Sequence, residues 1–156
     1  MDKNEFEAKI LACSGRYYRI AKAILISDAD CEDAMQEAMM KAWSRLAQLR
    51  TPDLFETWLC RILINECKAI LRQRKRRPTD ILQEAIPAPE PPDRVLWDAL
   101  IKLDSRFRIP FTLHHADGYS LAETARILNL PVTTVKWRIH RARELLSGMV
   151  TKEDML

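Results

Sequence analysis

SLAETARILNLPVTTVKWRIHRARELL, residues 120–146, contains two helical patterns separated by the four residues Asn-Leu-Pro-Val. Ser120 can cap the first helix, because Glu123 stands three residues later and completes a capping box. Pro131 prevents the first helix from continuing through the turn, and Thr133 or Thr134 can cap the second helix. The stretch therefore predicts two helices joined by a tight turn.

The second of these helices has an apolar side and a basic side. Its apolar residues recur at steps of three and four and should face the core: Val135, Ile139, Ala142 and Leu145 or Leu146. The outward-facing residues are then Lys136, Trp137, His140, Arg141 and Glu144. A basic, outward-facing helix after a tight turn is typical of the helix-turn-helix, whose second helix enters the DNA major groove. A helical hairpin with a solvated basic face is the alternative.

The composition predicts an all-α protein. The chain of 156 residues is 47% hydrophobic and 30% charged, which is ordinary for one globular domain or two small ones. Three glycines are too few for a glycine-rich phosphate loop, and the abundant Ala, Leu, Arg, Glu and Ile favour helix. The net charge of +3 is small, so any argument about nucleic acid depends on where the charges lie.

A proline-rich segment divides the chain. Residues 76–94, RRPTDILQEAIPAPEPPDR, contain five of the eight prolines, and proline ends helices and favours an extended connector. We expect a first domain at 1–77, a linker at 78–92 and a second domain at 93–156. Basic residues exceed acidic ones by 15 to 11 in the first domain and by 10 to 8 in the second, whereas the linker has three acids and no base. The sequence thus predicts two small, mildly basic helical domains joined by a Pro-rich linker.

Three amphipathic helices are expected in the first domain, with apolar stripes between residues 6 and 25, 34 and 46, and 55 and 70. Their charges are segregated. Residues 28–37 contain five acids and no base, while residues 61–77 contain seven bases and one acid. Each run can be a solvated helix face. The basic run can equally contact phosphates, and the acidic run suits a basic protein partner.

We expect neither an enzyme nor a bound metal or cofactor. The cysteines form no C-x-x-C pair and no histidine completes a zinc site, so reduced, mostly buried thiols are predicted at Cys13, Cys31, Cys60 and Cys67. His114, His115 and Asp117 precede Gly118 at an expected helix end, where histidines commonly interact with carbonyl groups. The sequence shows no set of nucleophile, base and oxyanion donors. The charged start of the chain and the lack of a long apolar stretch predict a cytoplasmic protein that does not insert into membranes.

Two stretches resemble one family. GYSLAETARILNLPVTTVKWRIHRARELL resembles the C-terminal DNA-binding region of the extracytoplasmic-function (ECF) group of bacterial RNA polymerase sigma factors. DADCEDAMQEAMMKAW, followed by FETWLCRILINECKAILRQRKR, resembles the N-terminal core domain of that group. The match spans nearly the whole chain, in the right order. The resemblance implies an alternative sigma factor that binds core RNA polymerase, directs it to specific promoters and assists promoter melting.

The resemblance also assigns roles to particular positions. Contacts with core polymerase fall on the acidic second helix, at Asp30, Asp33, Gln36 and Glu37. The non-template strand of the −10 element is assigned to the loop at 48–55 and to the third helix, at Arg61, Asn65, Lys68 and Arg72. The double-stranded −35 element is assigned to the last helix, at Thr134, Lys136, Trp137, Arg138, His140, Arg141 and Arg143. Lys136, Trp137 and His140 are expected at base edges and the others at phosphates or in supporting contacts.

Residues 94–120 are expected to form two helices separated around Leu103 to Ser105, with Pro110 acceptable only in the first turn of the second.

Three further aromatic or turn positions need separate comment. Many relatives have Leu-Pro where this chain has Leu103-Asp104, and a small residue where it has Trp137. A bulky indole at that position changes the shape that the last helix presents to DNA. Trp58 lies on the apolar stripe of the third helix, so we expect it in the core and not as a platform on which a base stacks.

Two other functions fit parts of the sequence. A stand-alone helix-turn-helix regulator that recruits no polymerase would need a dimerisation surface to read two half-sites. A protein-interaction adaptor whose basic faces only solubilise it predicts no salt-dependent DNA binding. Many members of the family are held inactive by an anti-sigma factor, and the resemblance admits such a partner here.

Overall fold

The computed structural model describes residues 1–76 and 94–154. Within these ranges every regular element is helical and no strand occurs, which confirms the all-α prediction. The chain separates into two compact units, Met1–Ile86 and Pro87–Leu156. The linker predicted at 78–92 lies outside the described residues, so the bounds of the three predicted segments stay a prediction. Of the described helices, none is long and apolar enough to cross a membrane.

The first unit is built from three helices. Helix α1 spans Lys3–Leu25, α2 spans Asp28–Ser44 and α3 spans Phe55–Arg76. Two short 3-10 turns, Leu46–Gln48 and Pro52–Leu54, lie between α2 and α3. All three helices follow the predicted apolar stripes.

Local hydrogen bonds determine where α1 and α2 begin. The Asp2 carboxylate accepts from the backbone N–H of Glu5 at 2.8 Å, and the Ser27 hydroxyl accepts from the N–H of Asp30 at 3.4 Å. Ile26 stands between the two helices with φ of 69°, an uncommon backbone angle for a β-branched residue. Its N–H still donates to the Lys22 carbonyl at 3.0 Å, so α1 ends without losing this bond.

The core of the first unit lies among its three helices. Helix α2 contributes only small side chains, which allow the neighbouring helices to approach closely: Cys31, Ala34, Ala38 and Ala42. The Phe6 ring of α1 meets the Phe55 ring of α3 edge-on, with ring centroids 5.8 Å apart. Trp58, expected in the core, is half-buried and its ring lies 6.0 Å from that of Phe55.

Residues 94–154 of the second unit form four α-helices. Helix α4 spans Arg94–Lys102, α5 spans Ser105–Phe111, α6 spans Leu121–Leu128 and α7 spans Val132–Asp154. The break between α4 and α5 falls where the sequence predicts it. There the Asp104 carboxylate accepts from the N–H of Arg106 at 3.0 Å and caps α5.

Pro110 corrects one expectation. We expected this proline in the first turn of its helix, but it is the sixth residue of α5. Proline has no N–H, so the hydrogen bond to the carbonyl four residues earlier cannot form. The helix widens directly afterwards into a π turn at Thr112–Ala116, in which the Asp117 N–H donates to the Thr112 carbonyl at 3.2 Å. Gly118 then ends the segment with φ of 74°, which glycine adopts without steric cost.

Helix α7 is the centre of packing in the second unit. Its inner face joins two clusters of buried residues. Ala142 and Leu146 pack with residues of α4 and α5, and Val135 and Ile139 pack with Ala125 of α6. The outward face of α7 is therefore fixed by three helices packed behind it.

Candidate functional site

Helix α2 presents three of the four predicted polymerase-binding residues to solvent. Asp33, Gln36 and Glu37 are exposed, and their spacing of three and four residues places them on one side of the helix. The opposite side carries the buried alanines of the core. An exposed acidic surface of this kind is complementary to a basic protein surface. We call Asp33, Gln36 and Glu37 the acidic face.

Asp30, the fourth predicted residue, lies in a different environment. It is only 6% exposed, and both of its carboxylate oxygens accept from Arg74 of α3. The two donor–acceptor distances are 2.6 Å from Nε and 2.5 Å from Nη2. A bidentate pair uses both oxygens and fixes the geometry of both side chains. Asp30 thus joins the start of α2 to the end of α3, and its polymerase contact stays a prediction.

Asp28 is likewise engaged inside the first unit. Its carboxylate accepts from the Tyr18 hydroxyl and, at 2.9 Å, from the Lys22 ammonium group. Burial alone would raise the pKa of Asp28, but the hydrogen bonds from Tyr18 and Lys22 outweigh it and lower the pKa. The acidic run therefore divides into structural carboxylates at its start and exposed carboxylates further along.

Helix α3 brings the four predicted −10 residues onto one side. Arg61, Asn65 and Arg72 are exposed and Lys68 is half-buried, with spacings of four, three and four residues. The buried residues of α3 occupy the other side. A row of cations with an amide side chain offers donors to phosphate oxygens and to unpaired bases.

The loop predicted to meet the −10 strand borders an open pocket of about 200 Å³. The pocket is lined by α1 on one side and by the second 3-10 turn and the start of α3 on the other, at Lys9, Ala12, Cys13, Pro52, Asp53, Phe55 and Glu56. Glu56 accepts from the Cys13 thiol at 3.3 Å and from Arg16 at 3.2 Å. Burial and the hydrogen bond with Glu56 raise the pKa of Cys13, so the group remains a neutral thiol. The pocket thus combines charged groups with the aromatic edge of Phe55.

Helices α6 and α7 form the predicted helix-turn-helix. The Ser120 hydroxyl accepts from the Glu123 N–H at 3.0 Å while the Glu123 carboxylate accepts from the Ser120 N–H at 3.1 Å, which confirms the capping box. Asn129 ends α6 in the left-handed conformation with φ of 55°. Helix α7 begins at Val132, so Thr133 and Thr134 lie in its first turn and the prediction that one of them precedes the helix is wrong. Pro131 stands just before the helix, and its carbonyl accepts from the N–H of Val135 at 3.1 Å.

The outward face of α7 carries the predicted −35 residues. Lys136, Trp137, His140, Arg141 and Arg143 are exposed, and Thr134 and Arg138 are partly buried. We call these seven residues, together with Glu144, the α7 face. The Trp137 ring lies 6.1 Å from the Phe107 ring of α5, although 58% of the residue remains exposed. The indole therefore packs near α5 on one side and is exposed to solvent on the other.

Two residues of this region were missed by sequence reasoning. The Glu144 carboxylate pairs with His140 at 3.0 Å and with Arg141 at 2.9 Å. The ring nitrogen Nε2 of His115 accepts from Arg143, at 3.0 Å from Nε and 2.7 Å from Nη2. The spacing of Glu144, four residues after His140 and three after Arg141, could have indicated the first pair. Nothing in the spacing of His115 and Arg143 indicates the second.

The described residues contain no group of three or more His, Cys, Asp or Glu side chains that could hold a metal ion. All four cysteines are free. Cys31, Cys60 and Cys67 are buried, as predicted for thiols of the core. Burial raises the pKa of Cys31 and of Cys67 to about 12, so neither is a thiolate at neutral pH.

Comparison with known families matches both units. The model for Sigma-70 region 2 matches residues 10–77, and the model for Sigma-70 region 4 matches residues 93–146. The ECF RNA polymerase sigma factor SigM of Mycobacterium tuberculosis is 30% identical over 154 residues, which cover 96% of this chain and 79% of that protein. The ECF RNA polymerase sigma-E factor of Escherichia coli K12 is 30% identical over 165 residues, with coverages of 93% and 82%.

Solved structures are also similar to this chain. The sigma factor RpoE in complex with the anti-sigma factor NepR from Bartonella quintana has a TM-score of 0.82 at 25% identity, over 94% of this chain and 97% of that chain. CnrH in complex with the cytosolic domain of CnrY has a TM-score of 0.71 at 25% identity, over 97% and 90%. The matches extend through both units in the same order. The chain therefore belongs to the ECF group of RNA polymerase sigma factors.

Proposed function

We propose that this chain is an alternative sigma factor that binds core RNA polymerase, directs it to specific promoters and assists promoter melting. One observation carries the proposal. A single chain combines Sigma-70 region 2 with an acidic and a basic face and Sigma-70 region 4 with an exposed basic helix. In this role the chain is a non-catalytic specificity subunit, and it acts in the cytoplasm because bacterial transcription takes place there.

Core polymerase is proposed to dock on the acidic face of α2. Asp33, Gln36 and Glu37 are exposed on one side of a helix whose other side is anchored in the core. The carboxylates of Asp28 and Asp30 accept hydrogen bonds from residues of the same unit. We therefore expect them to hold α2 in position and to contribute less than the acidic face to contacts with polymerase.

Promoter melting is proposed to use the −10 residues of α3 together with the loop before it. Unpairing a base costs a few kcal/mol, so a protein that assists melting must bind the single strand more tightly than the duplex. Arg61, Lys68 and Arg72 offer charge to the backbone, and Asn65 offers an amide for a base edge. The pocket beside the loop lies on the same unit and is open to solvent.

The −35 element is proposed to be read by α7. The N-terminal part of a recognition helix reaches base edges, which places Lys136, Trp137 and His140 nearest to the bases. Arg141 and Arg143 follow on the next turn, where phosphates of the groove border lie.

An anti-sigma factor is proposed as a further partner. In the two similar structures, the sigma factor RpoE is bound to NepR, which is described as an anti-sigma factor, and CnrH is bound to the cytosolic domain of CnrY. The close similarity in fold, with a TM-score of 0.82 for the first of them, supports a partner of the same kind here.

Transcription in vitro tests the proposal and separates it from the alternatives. Purified core polymerase is combined with this chain on a library of genomic promoter fragments, and transcripts are sequenced. We expect a small set of start sites that requires both the chain and core polymerase. A stand-alone regulator would bind DNA without core polymerase and yield no start sites, and an adaptor would do neither.

A further inference from the structure

The α7 face is not uniformly basic. Glu144 lies on it among the cations, with 49% of its side chain exposed. Acidic side chains are repelled by phosphates, so a carboxylate on a helix that approaches DNA calls for an explanation.

The contacts of Glu144 involve two of the predicted DNA-binding residues. One carboxylate oxygen lies 3.0 Å from Nε2 of His140, and the other accepts from Nη1 of Arg141 at 2.9 Å. The hydrogen bond from Arg141 lowers the pKa of Glu144, and the nearby His140 adds to this effect. Glu144 therefore stays ionised at neutral pH and offsets positive charge on this part of the helix.

Arg143 has an uncharged partner, in contrast to Arg141. Its guanidinium donates to His115, whose accepting ring nitrogen carries no charge. Arg143 is thus held in place without being neutralised, whereas Arg141 is held by a carboxylate. Two neighbouring arginines on one turn of α7 consequently offer different net charge to a phosphate.

We propose that Glu144 attenuates DNA binding by α7, because it neutralises Arg141 and so weakens binding to DNA of any sequence. The inference rests on the proposed binding of DNA by α7. Phosphate contacts supply most of the affinity for non-specific DNA, while base contacts supply discrimination. A carboxylate that weakens a phosphate contact therefore lowers the affinity for all sequences and leaves discrimination between bases to the other residues of α7.

The test compares Glu144→Gln with a variant of equal charge change elsewhere in the same unit. Asp98→Asn is the control, because Asp98 of α4 lies 4.0 Å from Arg94 in an exposed pair with the same four-residue spacing. The probe is a DNA duplex of mixed sequence, bound by the full chain between about 50 and 200 mM salt. Thermal unfolding of each variant confirms that the fold is intact.

We expect Glu144→Gln to bind the mixed duplex more tightly and with a steeper salt dependence. One additional phosphate contact adds about 0.9 to the slope of log affinity against log salt, an extra loss of roughly three-fold across this range. In an Arg141→Ala background the same change should have a smaller effect, because it then removes only the direct repulsion between Glu144 and the phosphates. Asp98→Asn should behave like the unmodified chain.

The possible results separate this inference from the function on which it rests. If the unmodified chain binds the duplex with no salt dependence, DNA binding by α7 is wrong as well. If it binds with salt dependence but Glu144→Gln matches Asp98→Asn, only the role of Glu144 is overturned. An effect of Glu144→Gln that is equally large in the Arg141→Ala background also overturns it.

Discussion

Asp30 and Asp33 are three residues apart on α2, yet their carboxylates lie in different surroundings. Asp30 is buried and accepts two hydrogen bonds from Arg74, whereas Asp33 is exposed. A hydrogen bond to a charged group contributes about 1.5–3 kcal/mol when it is shielded from water, and less when one partner is partly exposed. The two carboxylates should therefore differ in what their removal does.

Replacing each aspartate by asparagine separates stability from partner binding. We expect Asp30→Asn to lower the free energy of unfolding of the first unit by about 1–2 kcal/mol, since Arg74 is partly exposed and water replaces some of the lost contact. Asp33→Asn should change it by less than about 0.5 kcal/mol. Urea denaturation of both variants measures the difference, and equal midpoints would contradict the structural role of Asp30.

His115 should make the second unit sensitive to acid. Partial burial, the Arg143 guanidinium and the neighbouring His114 lower the pKa of His115 below its usual 6.5. The unfolded chain then binds a proton more readily than the folded one, so stability is complete above about pH 6.5 and is lost as the pH falls below it.

Thermal unfolding midpoints measured at about pH 8 and about pH 5.5 test this, and we expect the lower midpoint at the lower pH. His115→Gln keeps a hydrogen-bonding side chain but cannot titrate, so the decrease attributed to His115 should be absent from that variant. An equal decrease in both proteins would assign the acid sensitivity to other groups.

The acidic face of α2 allows a direct test of polymerase docking. Asp33→Lys combined with Glu37→Lys reverses the charge of the acidic face, and opposed like charges at an interface cost several kcal/mol. We expect loss of core-polymerase binding with unchanged thermal unfolding, since both side chains are exposed. Binding of labelled chain to purified core polymerase is the measurement. Unchanged affinity would remove this face from the interface.

We expect different residues of α7 to contact base edges and phosphates. Lys136 and His140 are four residues apart on the exposed side, and base-edge contacts discriminate by about 1–3 kcal/mol each. We expect Lys136→Ala or His140→Ala to relax preference at defined positions of the −35 element. Arg141→Ala should weaken binding to all sequences about equally, because a phosphate contact carries no sequence information.

Affinities for single-base variants of a −35 duplex, measured at two salt concentrations, decide between these roles. If Arg141→Ala altered base preference while the other two variants kept it, the orientation assigned to α7 would be wrong. The position of Trp137 would then be the first part of the assignment to test, because its bulky ring packs near Phe107 and limits how closely the helix can approach a groove.

Amphipathic spacing predicted these helices well, and interactions distant in sequence account for what it missed. The stripes of α1, α3 and α7 are visible because burial of one side imposes a repeat of three and four residues. Pro110 was misplaced because the π turn that follows it depends on packing within α5 and not on local propensity. The pairing of Asp30 with Arg74 joins residues 44 apart in sequence, which no local pattern reveals.

The two units carry different predicted binding surfaces. The first contains the acidic face and the predicted −10 residues, and the second contains the helix-turn-helix. Each has its own buried core, built around α2 and α3 in the first and around α7 in the second. A unit with a separate core can in principle fold alone.

Independent folding predicts that a change in one core leaves the other unit unaffected. Ile64→Val in the first unit and Ile139→Val in the second form a matched pair, because these isoleucines are 1% and 4% exposed. Removing one buried methyl group costs about 0.5–1.5 kcal/mol, and in a unit of this size each kcal/mol lowers the midpoint by about 4–8 °C. We expect calorimetry to resolve two transitions, of which Ile64→Val lowers one and Ile139→Val the other. A common shift of both transitions by either variant would show that the two units unfold together and would contradict independent folding.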